Sequence, residues 1–156
     1  MGSFQIRLTI RRPLETVFAI YTDQNTWYWW SHRHRVEWVT GKPWQEESRL
    51  RIETLDSTSD SIDQVLTRFE PRSQVDFITH TSGITLHSRV TFRAVSESET
   101  EVKSQLEFVG VFSKIAGFAV GPVIERRSRE FYDDLKRECE QKREEVNSPA
   151  VSPDSS

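Results

Sequence analysis

The sequence predicts an α+β protein: a curved antiparallel sheet of about seven strands around one long C-terminal helix, with two short helices after the first strand. Three observations predict it. From Ser113 to about Glu145 the chain reads as one amphipathic helix, with Val120, Ile124, Phe131, Leu135 and Cys139 at near-helical spacing. Arg126, Arg129, Glu130, Asp133, Asp134 and Lys136 fall mainly between them. The chain before that helix reads as short strands separated by turn residues. A long helix after such strands has to bury its apolar stripe against their sheet. If the sheet is curved, a cavity is left between the two.

The elements follow in order. Phe4, Ile6, Leu8 and Ile10 alternate with Gln5, Arg7, Thr9 and Arg11, the pattern of a half-buried strand. Pro13 suits the first turn of a helix, with Glu15 near its positive end, and Leu14, Val17, Phe18 and Tyr21 form its apolar stripe. Thr22-Asp23-Gln24-Asn25 ends it, and a second short helix or loop carries Trp27, Tyr28, Trp29 and Trp30. Strands are expected at about Val36–Thr40, Ser48–Leu55, Ser61–Glu70, Gln74–Thr81, Thr85–Val95 and Glu101–Val111. Gly41-Lys42-Pro43, Asp56–Asp60, Glu70-Pro71-Arg72, Ser82-Gly83 and Ser96–Thr100 separate them as turns, which implies a meander. One domain is expected over residues 1–146, and the Ser/Pro-rich residues 147–156 read as a disordered tail.

Composition removes several functional classes. A formal net charge of −3 lacks the basic excess of a nucleic-acid footprint. The single Cys139 excludes an intramolecular disulfide framework and lies on the apolar side of the helix as a small hydrophobe. Arg7, Arg11 and Arg12 interrupt the N-terminal segment, so no signal core is expected there. The most apolar run, Val109 to Ile124, contains Lys114 and is short for a membrane span. The expectation is a cytoplasmic protein without stable membrane insertion; no feature speaks to oligomeric state.

Strand parity sorts the side chains. Leu50, Ile52 and Thr54 share a face against Arg49, Arg51 and Glu53. Ile84, Leu86, Ser88, Val90 and Phe92 oppose Thr85, His87, Arg89, Thr91 and Arg93. Val102, Ser104, Leu106 and Phe108 oppose Lys103, Gln105 and Glu107. The inner faces are nearly free of charge, with isolated hydroxyls, which suits an apolar ligand held by a few polar contacts and equally a filled core. The strand at Ser61–Glu70 is ambiguous: Ile62, Gln64 and Leu66 can face inward, or Val65, Thr67 and Phe69 can.

No catalytic constellation stands out. His32-Arg33-His34 has a metal-like spacing but no acid or Cys completes a set, so no metal and no cofactor are expected. His80 and His87 belong with the outer set. Cys139 has no neighbouring His, and neither a nucleophile elbow nor a phosphate loop occurs. Parity turns Glu53 and Glu107 outward and leaves Asp63 as an uncertain base. Arg126-Arg127-Ser128-Arg129 forms a basic patch, able to meet an anionic group or simply to face solvent.

Four segments carry a family resemblance. Arg12-Pro13-Leu14-Glu15-Thr16-Val17-Phe18 opens the first helix; Asp23 is followed by Trp27 and Trp30; Thr100-Glu101-Val102 enters the last strand, with Glu99 where Gly is usual; Leu135-Lys136-Arg137-Glu138-Cys139-Glu140 ends the final helix. With the element order, the chain resembles the START-like, or SRPBCC, superfamily in its polyketide cyclase/dehydrase and lipid-transport branch. The resemblance implies the helix-grip fold and a hydrophobic small-molecule partner: a lipid, polyketide or isoprenoid-like ligand. With strand parity it points to Trp30, Leu86, Val90, Phe92, Leu106, Phe108, Phe118, Ile124 and Phe131 as ligand-binding residues, with Ser88 and Ser104 as polar anchors. The alternatives are an aromatase/cyclase-type enzyme, and an interaction module that uses the Trp27–Trp30 surface.

Overall fold

The alternating runs resolve into strands in the structure, a computed structural model that describes residues 3–23, 34–54, 62–81, 84–110 and 113–147. These are β1 (Ser3–Ile10), β2 (His34–Thr40), β3 (Arg49–Thr54), β4 (Ile62–Glu70), β5 (Gln74–Thr81), β6 (Ile84–Ser96) and β7 (Glu99–Val109). They form one antiparallel sheet in the order β1-β7-β6-β5-β4-β3-β2. Helix α1 (Leu14–Tyr21) follows β1, and the long helix α2 (Ser113–Asn147) follows β7. Among the described residues, one short helix stands between β1 and the long helix instead of two. The expected second one, on Trp27–Trp30, lies outside the described residues, as do the Asp56–Asp60 and Ser82-Gly83 turns and residues 148–156.

Parity holds along the strands. Ile6 and Ile10 are buried on β1, and Val102, Ser104, Leu106 and Phe108 are all buried on β7. The outer face carries the charge, in cross-strand pairs such as Arg51–Asp63 at 3.3 Å, Arg89–Asp76 at 3.3 Å and Arg93–Glu101 at 3.2 Å. Such exposed pairs contribute about 0–1 kcal/mol each, so they order the surface more than they hold the fold.

The ambiguity at β4 has a structural answer. Ile62, Gln64 and Leu66 face inward, and an irregularity after them brings in Phe69 alone of the other set. Leu66 pairs with Phe77 and Arg68 with Asp76, leaving Thr67 as an extra residue that reverses the parity. Ile62, Gln64 and Leu66 therefore point inward before the bulge, and Phe69 reaches the core after it. Register shifts of the same kind occur in β2 between Trp38 and Thr40, and in β6 between Ala94 and Ser96. Bulges bend and twist a sheet, and this one is concave toward α2.

Two turns are tied down by named side chains. Pro13 caps α1 in extended conformation, one residue before the helix, and the Thr100 hydroxyl donates to the Arg12 carbonyl at 2.9 Å beside it. Gly41 sits at φ +76° between β2 and β3, where a Cβ would stand 2.3 Å from Ser48 Oγ. The Ser48 hydroxyl uses that space to donate to the Lys42 carbonyl at 2.7 Å.

An aromatic group fills the floor beneath α1. Phe18 and Tyr21 each meet the Phe92 ring at 5.1 Å between centroids, and Trp44 reaches in from the β2–β3 loop to Tyr21, Trp38, Phe69 and Phe77. The Trp44 indole donates to the Thr22 carbonyl, which pins that loop to the end of α1.

Helix α2 is seated by its C-terminal half. Leu135 and Cys139 are fully buried and Tyr132 nearly so. Lys136 donates to the Thr9 carbonyl at 2.6 Å, and Glu140 accepts from the Arg11 backbone amide at 3.1 Å. Upstream, Ile115 is 67% exposed and Phe118 88%. Pro122 lies in that half and lacks the amide that would bond the Phe118 carbonyl. Leu135→Ala is expected to cost about 2–5 kcal/mol of unfolding free energy, and Phe118→Ala no more than about 0.5. Urea unfolding of both variants checks this; equal losses would mean that α2 is not seated at Leu135.

Candidate functional site

A helix seated by its C-terminal half on a concave sheet leaves space between the two further up. That space is a cavity of about 330 Å³, within the range of small-molecule sites. Its walls come from the sheet, from α1 and from α2. Val36, Ile52, Ile62, Ile84, Leu86, Val90, Leu106 and Phe77 line the sheet side, and Val120, Val123, Ile124 and Phe131 the helix side. Polar groups are few and sit in separate places.

The deepest are Tyr21, Tyr132 and Ser104, all buried, with Tyr132 joined to each of the other two by a side-chain hydrogen bond. Burial raises the Tyr132 phenol to about 12, although its bonds to Ser104 and Tyr21 pull the other way. Burial also holds Tyr21 well above the ordinary phenol value, reinforced by Tyr132. A second polar pair lies on β4 and β5, where Gln64 Nε2 donates to Thr79 Oγ1 at 3.1 Å. Ser88 borders the cavity on β6, and Arg127 and Ser128 border it on α2.

Of the residues expected from sequence, Leu86, Ser88, Val90, Ser104, Leu106, Ile124 and Phe131 line this cavity. Phe92 does not; it packs in the aromatic floor against Phe18 and Tyr21, because the cavity ends above that cluster. Phe108 is buried near the end of β7, within 3.8 Å of where a Gly121 Cβ would stand, and is taken up by that close approach. Phe118 is exposed, because it falls on the outward side of the unseated half of α2. Trp30 lies outside the described residues, as do Trp27 to Trp29, on which an interaction surface was expected.

Asp63 leaves the running as a base: it pairs with Arg51 on the outer face, and its neighbour Gln64 takes the inward position. His80 and His87 are exposed on that same outer face, and His32 lies outside the described residues. Among the described residues no three His, Cys, Asp or Glu side chains gather as a metal site, and no helix is long and apolar enough to cross a membrane.

Sequence reasoning missed Tyr21, Tyr132, Thr79 and Arg127 as cavity residues. Tyr21 falls in the apolar stripe of α1, and no clean alternation fixes the facing of the strand that carries Thr79. Arg127 did leave a signal. The stripe Val120, Ile124, Phe131, Leu135 skips one turn between Ile124 and Phe131, and Arg127-Ser128 occupy it.

The profile of a family described as polyketide cyclase / dehydrase and lipid transport matches residues 1–140. No curated protein sequence matches the chain. Among solved structures, it is similar to the Zhui aromatase/cyclase from Streptomyces sp. R1128, with 13% identity, 96% of this chain and 98% of that one covered, and a TM-score of 0.71. A START superfamily protein from Mycobacterium smegmatis is 14% identical over 90% of this chain and 99% of its own, with a TM-score of 0.68. Ara h 8.0201 is 8% identical over 89% and 97%, with a TM-score of 0.72. At such identities these structures share the fold, and the sheet and helix described above are the helix-grip arrangement.

The buried phenols make the fold sensitive to alkali. A tyrosine held neutral in the folded state and ionised in the unfolded one contributes stability below the unfolded value near 10, and that contribution is lost as pH rises toward about 12. Urea unfolding at pH 9 and at pH 11 is expected to show a smaller alkaline loss for Tyr132→Phe than for the unsubstituted protein. An equal loss in both would mean that Tyr132 is not held neutral by burial.

Proposed function

The chain belongs to the polyketide cyclase / dehydrase and lipid transport family, and from that premise we propose that it holds a hydrophobic small molecule, of lipid, polyketide or isoprenoid kind, between its sheet and α2. The observation that carries this reading is the cavity of about 330 Å³, whose lining is aliphatic and aromatic apart from a few separated polar groups. Leu86, Val90, Leu106, Ile124 and Phe131 supply the contact area for the ligand, and Ser88 and Ser104 anchor polar atoms on it. Ser104 is already engaged with Tyr132, so the pair acts as one anchor.

A second reading, an aromatase/cyclase-type enzyme, is favoured by the Tyr21–Tyr132–Ser104 chain and by the likeness to an aromatase/cyclase fold. A phenol that stays protonated through the physiological range donates a hydrogen bond to a ligand carbonyl oxygen and polarises it, in a site from which the apolar walls exclude water. It is a poor base at the same pH. Among the cavity-lining residues no carboxylate or imidazole stands ready to remove a proton. The walls therefore support folding and polarising a reactive chain more than a base-driven reaction.

Native mass spectrometry of the freshly purified protein, beside its denatured mass, is the direct test. A reproducible excess mass in the native spectrum alone is expected. Ile124→Trp, which places a large ring in the cavity, is expected to abolish that excess and to weaken binding of the fluorescent apolar probe N-phenyl-1-naphthylamine about tenfold or more. A clean native mass together with no probe binding would overturn the reading.

A further inference from the structure

The stripe that α2 turns toward the cavity is apolar at Val120, Val123, Ile124 and Phe131, and it is broken at Arg127-Ser128. Arg127 is the one charged side chain among the described residues that line the cavity. It is exposed at the edge of the cavity, and among the described residues it has no ion pair and no hydrogen bond. Glu125, two residues away, holds Arg129 at 2.8 Å, and Glu130, one turn further on, is exposed and makes no ion pair with Arg127. Ser128 beside it is also without a hydrogen-bond partner among the described residues. The sheet side of the same cavity is apolar at Val36, Ile62 and Ile84.

An unpaired guanidinium in a stripe of apolar side chains breaks the pattern that the rest of the helix obeys. Such local conflicts concentrate at functional positions. The chemistry of the group says what would meet it. Guanidinium is planar, weakly hydrated for a cation and able to hold a carboxylate, sulfate or phosphate through two parallel hydrogen bonds. A hydroxyl on the next residue can donate a further bond to the same anion.

We propose that Arg127 and Ser128 form the head-group site for an anionic amphiphile, a molecule whose apolar body fills the cavity and whose carboxylate, sulfate or phosphate rests at the edge. The proposal rests on the cavity-binding reading and adds the ligand's charge and orientation. Tyr132 lies about 7.5 Å further along the helix axis, at 1.5 Å rise per residue. The acid end therefore stays at the edge and the body runs inward past Phe131, with any neutral oxygen at its far end meeting Tyr132 and Ser104. A wholly neutral hydrophobe would leave Arg127 unused.

Two probes that share one ring system separate charge from shape: 8-anilino-1-naphthalenesulfonate, and N-phenyl-1-naphthylamine, which lacks the sulfonate. Fluorescence titration is expected to show the sulfonate probe binding more tightly. Arg127→Gln is expected to weaken it about tenfold while leaving the neutral probe unchanged, the size of one charge-assisted contact at a partly desolvated site. Arg126→Gln removes the same charge from an exposed position off the cavity and is expected to change neither probe. Both probes binding with Arg127→Gln no different from Arg126→Gln would overturn the head-group site and leave the cavity reading intact. Neither probe binding would overturn both. Inorganic phosphate or acetate at matched ionic strength is expected to leave the sulfonate probe bound; displacement by either would make Arg127 a simple anion site and overturn the amphiphile.

Discussion

The seating of α2 is the constraint on which the rest of the structure depends. Leu135 and Cys139 lock its C-terminal half onto the sheet, and Lys136 and Glu140 tie the same half to Thr9 and Arg11 at the β1 end. Fixing this half sets where the upstream half begins above the concave strands. The upstream half packs more sparsely: Ile115 and Phe118 are exposed, while Gly121 is buried against Phe108. The cavity is thus a consequence of geometry: upstream of its seat the helix approaches the concave sheet closely at Gly121 and Phe108 and leaves space beside that contact. Filling the space would require large side chains at Ser88, Ser104 and Thr79, and the sequence places small hydroxyl residues there.

Polar groups inside such a cavity are expensive unless satisfied, and their arrangement reflects that cost. Tyr132 is bonded to Tyr21 and Ser104, and Gln64 to Thr79. Each of these groups is paired without a ligand and so does not destabilise the empty protein. Each also retains hydrogen-bonding capacity, since hydroxyl and amide groups carry more than one donor or acceptor site. Ser88 and Ser128, less deeply placed, lack a hydrogen-bond partner among the described residues, and Arg127 is exposed.

Much of this was legible in the sequence. Period-two alternation placed the inward faces of β1, β3, β6 and β7, and the spacing of Val120, Ile124, Phe131, Leu135 and Cys139 placed the buried side of α2. Parity failed to decide β4 because no local signal marks Thr67 as an extra residue; the bulge is defined by pairing with β5, a tertiary event. Phe92 and Phe108 have the right parity and miss the cavity, since alternation says which face a residue is on and not how far along the groove the cavity extends. Phe118 failed for a related reason: an apolar residue on an amphipathic helix was assumed to face the sheet, although the helix is seated only downstream. Tyr21 and Tyr132 were invisible as a pair because their hydrogen bond joins α1 to α2 across the chain.

On the proposed binding reading, these features suit a ligand that is held by shape and read at its two ends. Aliphatic walls such as Leu86, Val90, Leu106 and Ile124 discriminate by volume, and each methylene of mismatch is worth only about 0.8 kcal/mol of burial. They cannot orient a molecule, because either end of a hydrophobe gains the same burial. Orientation needs two unlike groups at separate places, and the structure supplies them: a neutral, buried phenol–hydroxyl pair at Tyr132 and Ser104, and a cation near solvent at Arg127. An anion driven to the deep end would lose its hydration and meet only neutral donors, whereas at Arg127 it keeps water and gains an opposite charge. For the proposed anionic amphiphile, the asymmetry of cost sets the direction of entry, acid last. A chain held that way presents its inner oxygen to Tyr132 every time it binds, a requirement that a passive carrier and a polarising enzyme would share.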